Sequence, residues 1–436
     1  MEILVYTPSL TARIKYALNL VLREVLGAER ILFTNSEQEL ADFSGPKINY
    51  SREQIEGVIR FVPHGLLQEK DISEQEIYVS KFKDTPVFFA TANSALPFDP
   101  FAASFYLVSR YEEYLPHISD QHNRFIATES LAFKNDFLKI PVVNIWCKWV
   151  KEILLEEFPN STFKPDSYKF ISTVDVDNLY AYKAKGVIRT SGALFKDVLK
   201  LDFATAAERV QTTLGFMPDP YDTFEKQIEA NEALKIKSIY FMLFAEFAQF
   251  DRNISMFSPR MHVAVRGMND YTEVGIHPSY RSNESKDLVE FEVRHLEEAL
   301  RTNVTKSRQH FLKMRFPDTF RYLLDLGITD EYSMGYASEP GFRASIATPF
   351  TFYDLEMEVT VPLTIHPFML MDVTFIDYKK QTKEEAWAEM TSIIDQTKAV
   401  DGQLITVFHN RVFSEKEAEW QGWFKLYTQL LEYAKP

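Results

Sequence analysis

The stretch "KFISTVDVDNLYAY", Lys169 to Tyr182, decides how the rest of the chain is read. Phe170, Ile171 and Val174, with Thr173 among them, are residue types that suit a pleated, buried strand. The run ends abruptly in two carboxylates, Asp175 and Asp177. Positions i and i+2 of a strand share a face, so the two acids project side by side from its C-terminal end. Held together they repel and are costly to desolvate. A metal ion, a nearby cation or a shared proton would relieve that cost. An exposed Asp-rich turn after a strand is the plain alternative.

Working outward, strand-like runs alternate with helix-like ones from this point to the C-terminus. The candidate strands are "YKFISTVD", "IKSIYFMLF", "TEVGIH", "TKSRQHF", "ITDEYSM", "VTVPLTIH" and "QLITVFHN". Thr382-x-x-Glu385 and Ser414-x-x-Glu417 both read as capping boxes that start helices. Pro317 suits the first turn of "FPDTFRYLLDLG", and Gly327 suits its end. Alternating strands and helices imply a parallel sheet. About seven such units predict an α/β fold, a distorted and incomplete (β/α) barrel.

On the N-terminal side, "EILVYT", "RILFT" and "PVFFAT" alternate with helical stretches. "LTARIKYALNLVLREVL" from Leu10 is amphipathic at helical spacing. "FDPFAASFYLVSRYEEYLP", Phe98 to Pro116, reads as an aromatic-rich helix whose rings are core and whose "YEE" is a solvated face. At 436 residues, two domains are the better expectation. Two prolines and small polar residues interrupt the apolar pattern in "EEFPNSTFKPDS", Glu156 to Ser167. This places a smaller N-terminal α/β domain at residues 1–161 and the barrel at residues 168–436.

Composition narrows the class. The formal net charge of −14, read as spread along the chain, argues against nucleic acid and against an anionic membrane as partners. No stretch approaches the length of a transmembrane helix. The opening "MEILVYTPSL" lacks a basic segment followed by an apolar one, so a cytoplasmic protein is expected. Cys147 is the single cysteine, which excludes an internal disulfide and any Cys-based zinc cluster. Beside Trp146 and Trp149 it reads as a packed core thiol.

Polar residues gather at the predicted strand ends. "EVGIH" ends in His277, and "TKSRQH" carries Arg308 and His310 on one face. "LTIH" ends in His366, with Asp372 following, and "LITVFHN" ends in His409 and Asn410. Barrel enzymes assemble their catalytic residues from the C-terminal ends of different strands. Carboxylate plus imidazole is also a ligand set that suits zinc or another divalent transition metal.

From about Phe170 onward the chain resembles the polysaccharide deacetylases of the NodB-homology superfamily, carbohydrate esterase family four. It is most similar in organisation to a bacterial subgroup with an uncharacterised N-terminal domain. The resemblance rests, in order, on "TVDVDN", "EVGIHPSYRSN", "SRQHFLKMRFPDTF", "ITDEYSMGYASEPGFRAS", "HPFMLMDVTF" and "ITVFHN". It implies a catalytic base at Asp175 and a metal ligand at Asp177. It also implies a second ligand at His277, an Arg that orients the base at Arg308, and a general acid at His409. The family's second motif usually carries another histidine four residues on. Arg281 stands there instead, and a guanidinium has no lone pair to offer a metal.

Hydrolysis of an acetamide on an N-acetylated carbohydrate is the chemistry so implied. A divalent metal, zinc first, would polarise the carbonyl and bind water. His310 is the expected third ligand, because its motif lies beside that of His277 in a sequential barrel, and His366 is the reserve. A backbone N–H near His310 or Phe311 would serve the oxyanion. Tyr280, Arg281, His366 and Asn410 are candidates for substrate contact, Arg281 through a carboxylate or phosphate. Two other classes stay open: a metal-free hydrolase of another amide or a cyclic ureide, and a non-catalytic carbohydrate-binding protein on the same fold.

Overall fold

The computed structural model describes residues 1–164 and 167–436. The expected linker, Glu156 to Ser167, runs over Pro165 and Asp166, which lie outside the described residues. A four-stranded parallel sheet occupies the N-terminal part, formed by β1 (Glu2–Tyr6), β2 (Arg30–Thr34), β3 (Lys47–Asn49) and β4 (Ile59–Arg60) in the order β2-β1-β3-β4. The expected strand "PVFFAT" is shorter and lies elsewhere. Only Thr85–Val87 (β6) is extended, paired antiparallel with Ser80–Phe82 (β5).

A second sheet of nine strands dominates the rest. Its members are β7 (Lys169–Val176), β8 (Lys237–Met242), β9 (Glu273–Ile276), β10 (Lys306–Ser307), β11 (Asp330–Glu331), β12 (Phe350–Asp354), β13 (Val359–Ile365), β14 (Leu370–Met371) and β15 (Gln403–His409). Their order is β12-β13-β11-β10-β9-β8-β7-β15-β14, parallel throughout except for the β12–β13 pair. Each of the seven predicted stretches holds one of these strands. The sequence reading missed β12 and the two-residue β14. The ladder leaves β12 and β14 as edges.

Every residue of β7 after Lys169 is buried, as expected of a parallel strand covered on both faces. Alternation sorts them. Phe170, Val174 and Val176 join the large core with the outer helices, whereas Ile171 packs with Ile239, Phe241, Ile405, Val407 and Tyr332 on the inner face. Thr173, Asp175 and Asp177 follow Ile171 in the same alternation. The first and last predicted strands lie side by side, with His409 in register with Asp175.

Two local expectations are corrected. The capping box at Thr382–Glu385 starts the helix Lys383–Ala399, but Ser414 starts none and instead ends the short 3₁₀ turn Val412–Ser414. There Glu415 is left-handed (φ 53°), and the last helix, Trp423–Ala434, begins only after Gly422. The "YEE" is not a solvated face, because Tyr111 and the two glutamates are buried. The helix Pro100–Val108 ends at Arg110 in a left-handed turn, which drives the following residues inward. Arg110 then binds Glu113 at 2.7 Å and Glu112 at 2.8 Å, and Glu113 is shared with Arg343 at 2.6 Å. These charges are tolerated in the interior because each has a partner. They tie residues before 161 to the loop after β11. One apolar core is continuous across both parts, and Arg13 adds a contact of 2.5 Å to Glu358 in the β12–β13 turn.

Candidate active site

The inner alternation of β7 and β15 opens at the strand ends into a pocket of about 220 Å³. Asp175, Asp177, His277, His310 and His409 line it. Arg308 lies beneath, fully buried. Its Nε donates to the Tyr332 carbonyl at 3.0 Å, and its Nη1 donates to Thr173 Oγ1 at 2.7 Å and to Asp175 Oδ1 at 2.9 Å. The guanidinium also sits 4.5 Å from the centre of the Phe241 ring. Gly275 makes room for that ring, since a Cβ there would meet it at 2.8 Å.

Asp177, His277 and His310 converge. One ligand atom from each lies within 4.8 Å of the others. Asp177 Oδ1 is 3.4 Å from His277 Nε2 and 3.5 Å from His310 Nε2. The far nitrogens fix the tautomers. His277 Nδ1 meets the Arg308 carbonyl at 2.6 Å, an atom that can only accept, so the proton is on Nδ1. His310 Nδ1 meets Asp251 Oδ1 at 2.9 Å. Both Nε2 lone pairs therefore face Asp177, whose Oδ1 is buried without a hydrogen-bond partner. Histidines oriented from behind by a carbonyl and a carboxylate, beside an orphaned carboxylate oxygen, are what a divalent cation needs. The residues fit such a group.

Charge follows the same pattern. Burial opposes ionisation of Asp177, but the imidazoles of His310 and His409 and the cation of Arg411 outweigh it and hold its carboxyl well below the usual range. Arg411 binds Asp177 Oδ2 directly. His409 stands opposite. Its Nδ1 contacts Asp372 Oδ1 at 2.7 Å, its backbone N–H donates to Asp372 Oδ2 at 2.7 Å, and its Nε2 faces the pocket 3.8 Å from Asp177 Oδ2. Burial lowers the pKa of His409 and Arg411 lowers it further, yet Asp372 and Asp177 carry it above its ordinary value.

The remaining sequence candidates lie outside the pocket lining. Tyr280 packs tilted against Phe250 and edge-on to Phe311, and its hydroxyl contacts His122 Nδ1 at 3.3 Å. Arg281 is exposed. Asn410 is buried and donates to the Asn178 carbonyl at 2.8 Å, which fixes the loop after β7. His366 reaches Asp330 at 2.8 Å and Gln403 at 3.1 Å, near the start of β15. The His310 N–H, one of two expected oxyanion donors, is spent on the Pro278 carbonyl at 3.2 Å. Phe311 lines the pocket in a left-handed conformation (φ 61°), sparsely populated for a bulky residue and held here by its surroundings.

Three functional neighbours escaped the sequence reading, and a fourth, Asp372, is noted there only as following His366 and is given no role. Asp251 and Arg411 follow strands β8 and β15 and had a positional signal. Asp372 follows β14, a strand the pattern did not reveal. Arg124 comes from the N-terminal part and had none. It lines the pocket with its Nε on Asp120 at 2.7 Å, its Nη1 on the Phe311 carbonyl at 2.7 Å and its Nη2 on the Tyr378 hydroxyl at 3.2 Å.

Residues 3–159 match DUF7033, a family of unknown function. No curated protein matches the chain. Among solved structures the chain is similar to Puue allantoinase, with 12% identity, 63% of this chain and 88% of that one covered, and a TM-score of 0.40. It is similar to a probable polysaccharide deacetylase from Pseudomonas aeruginosa PAO1, with 11% identity, 63% and 89% covered, and a TM-score of 0.40. It is also similar to the polysaccharide deacetylase Bc1974 from Bacillus cereus, with 8% identity, 61% and 87% covered, and a TM-score of 0.30. At this level of overlap each is a likeness only, and the reading below rests on the side chains described above.

Proposed function

We propose that the chain is a metal-dependent hydrolase that removes an N-acetyl group from a sugar or polysaccharide precursor, on an incomplete (β/α) barrel. The observation that carries this reading is the convergence of Asp177 with two histidine Nε2 atoms, both aimed from behind, between an Arg-bound carboxylate and an Asp-bound imidazole. A divalent cation, zinc first, would be held by Asp177, His277 and His310 and would supply Lewis-acid polarisation of the amide carbonyl. Asp175 is the base. Arg308 orients it through the Nη1 hydrogen bond to Oδ1, and Asp175 takes the proton of the attacking water. His409, kept protonated by Asp372, gives a proton to the departing amine. The Phe311 N–H is the candidate donor to the developing oxyanion. Arg124 and Tyr378 narrow the mouth.

One observation favours a second reading. Arg411 already supplies a cation to Asp177, as a metal-free hydrolase of another amide or a cyclic ureide would require. Metal analysis of the purified protein together with release of acetate from N-acetylated oligosaccharides separates the two. Stoichiometric zinc and zinc-dependent acetate release support the first. Turnover of a cyclic ureide by metal-free protein supports the second.

A further inference from the structure

The segment between β7 and β8 carries a helical hairpin, Val187–Leu199 followed by Phe203–Leu214. The first of these helices has no buried residue, although its apolar side chains recur at helical spacing. Ile188 is 89% exposed, Phe195 65% and Leu199 67%, with Leu201, Phe203 and Leu214 continuing the same surface. Elsewhere among the described residues, large exposed apolar side chains are scattered. Short helices are marginal in water unless an apolar face is packed, so a face of this size implies something that covers it.

Charge identifies the cover. Residues 183–217 hold six basic and three acidic residues, in a chain whose net charge is −14. The acids are spent internally. Asp197 pairs with Arg209 at 2.7 Å, Glu208 pairs with Lys416, and Asp202 caps the second helix through the Thr205 N–H. Lys196 and Lys200 flank the apolar stripe, exposed and without an ion pair among the described residues. Long basic side chains around an apolar stripe suit the interface of an anionic bilayer, where the stems bury and the ammonium groups meet headgroups. A second copy fits poorly. A two-fold interface would bring this basic patch against itself. The hairpin is rooted beside the site, because Lys185 donates to Asn178 Oδ1 at 3.0 Å and Arg189 to the Asn253 carbonyl at 3.0 Å.

We infer that this hairpin docks the protein on an anionic lipid surface, with the strand-end pocket on the docked side. The inference does not depend on the reaction assigned above. The test is cosedimentation of the full chain with vesicles of phosphatidylcholine mixed with phosphatidylglycerol, against pure phosphatidylcholine. Binding to the anionic vesicles at least about tenfold stronger, and weakened by salt, is expected. Leu199→Ser with Phe203→Ser should abolish it. Lys196→Glu with Lys200→Glu, which leaves the apolar stripe intact, should weaken it strongly. All four side chains are exposed, and far-ultraviolet circular dichroism checks that the helices persist. Absence of binding to either vesicle, or binding unchanged in both variants, would overturn the inference. So would a dimer in lipid-free sedimentation that Leu199→Ser with Phe203→Ser converts to monomer, since a second copy would then cover the face.

Discussion

His366 and His409 look alike in the sequence. Each closes an apolar strand, each is followed by the chain leaving the sheet, and each finds an aspartate in the fold, Asp330 at 2.8 Å and Asp372 at 2.7 Å. Their surroundings are opposite. His409 ends β15 and faces the pocket, while His366 contacts Gln403, the first residue of that same strand. Six strand steps separate the two contacts, roughly 20 Å along β15. His366 lies flat on Tyr332, with 4.4 Å between ring centres and 4° between planes, and both its nitrogens are occupied. His409 has one nitrogen held and one free toward Asp177. β13 and β15 are not neighbours in the ladder, yet the end of β13 sits level with the start of β15, because the strands of a curving sheet are staggered relative to one another. A strand-end histidine becomes a site residue only where the stagger brings it to the mouth.

Substitutions can break this contrast. The largest effect is expected at the mouth. His409→Ala and Asp175→Asn should each lower kcat by about 10²–10⁴-fold in an acetate-release assay, with folding retained. If either variant turns over at the parent rate, its proton-transfer role is lost. A second substitution tests whether charge buried at the junction matters only to stability. Arg343→Met leaves Glu113 short of a partner and should cost about 3–5 kcal/mol in urea unfolding while the variant still binds metal when folded. A stability change near zero would mean the Arg110–Glu113–Arg343 cluster does not hold the two parts together.

Smaller effects sharpen the contrast through pH. Asp372 helps raise His409 above its ordinary 6.5, so the imidazolium survives to higher pH. Asp372→Asn should therefore move the alkaline limb of kcat/KM to lower pH. The stability contributed by the pair follows the same sign. It is fully present below about pH 6.5 and lost as pH rises through the raised folded value, so Asp372→Asn should be less stable than the parent mainly at low pH, with the gap closing as pH rises. An unmoved alkaline limb would separate Asp372 from the acid. The smallest effect belongs to His366→Ala, which should leave turnover and metal affinity at parent levels and cost about 1 kcal/mol.

Much of the sheet was legible because local rules govern it. Residue type marked seven of the nine strands, β10 and β11 among them although each has only two residues, and the period of two put Asp175 and Asp177 on one face with Ile171. What was illegible depends on contacts distant in sequence. β14 has two residues and no pattern of its own, so Asp372 carried no visible role. The "YEE" reads as surface until Arg343, 230 residues away from Glu113, is brought to it. The Ser414 box satisfied a local rule, but the chain turned left-handed at Glu415 before a helix could start. The even charge read from composition hid a hairpin that is basic in an acidic chain.

The central claim is that His310, not His366, completes a metal site with Asp177 and His277. Zinc titration of the parent protein, His310→Ala and His366→Ala by isothermal calorimetry tests it most directly. The account predicts one tight site in the parent, lost or weakened at least about tenfold in His310→Ala and unchanged in His366→Ala. Parent-like zinc affinity in His310→Ala would contradict it, as would loss of the site in His366→Ala alone.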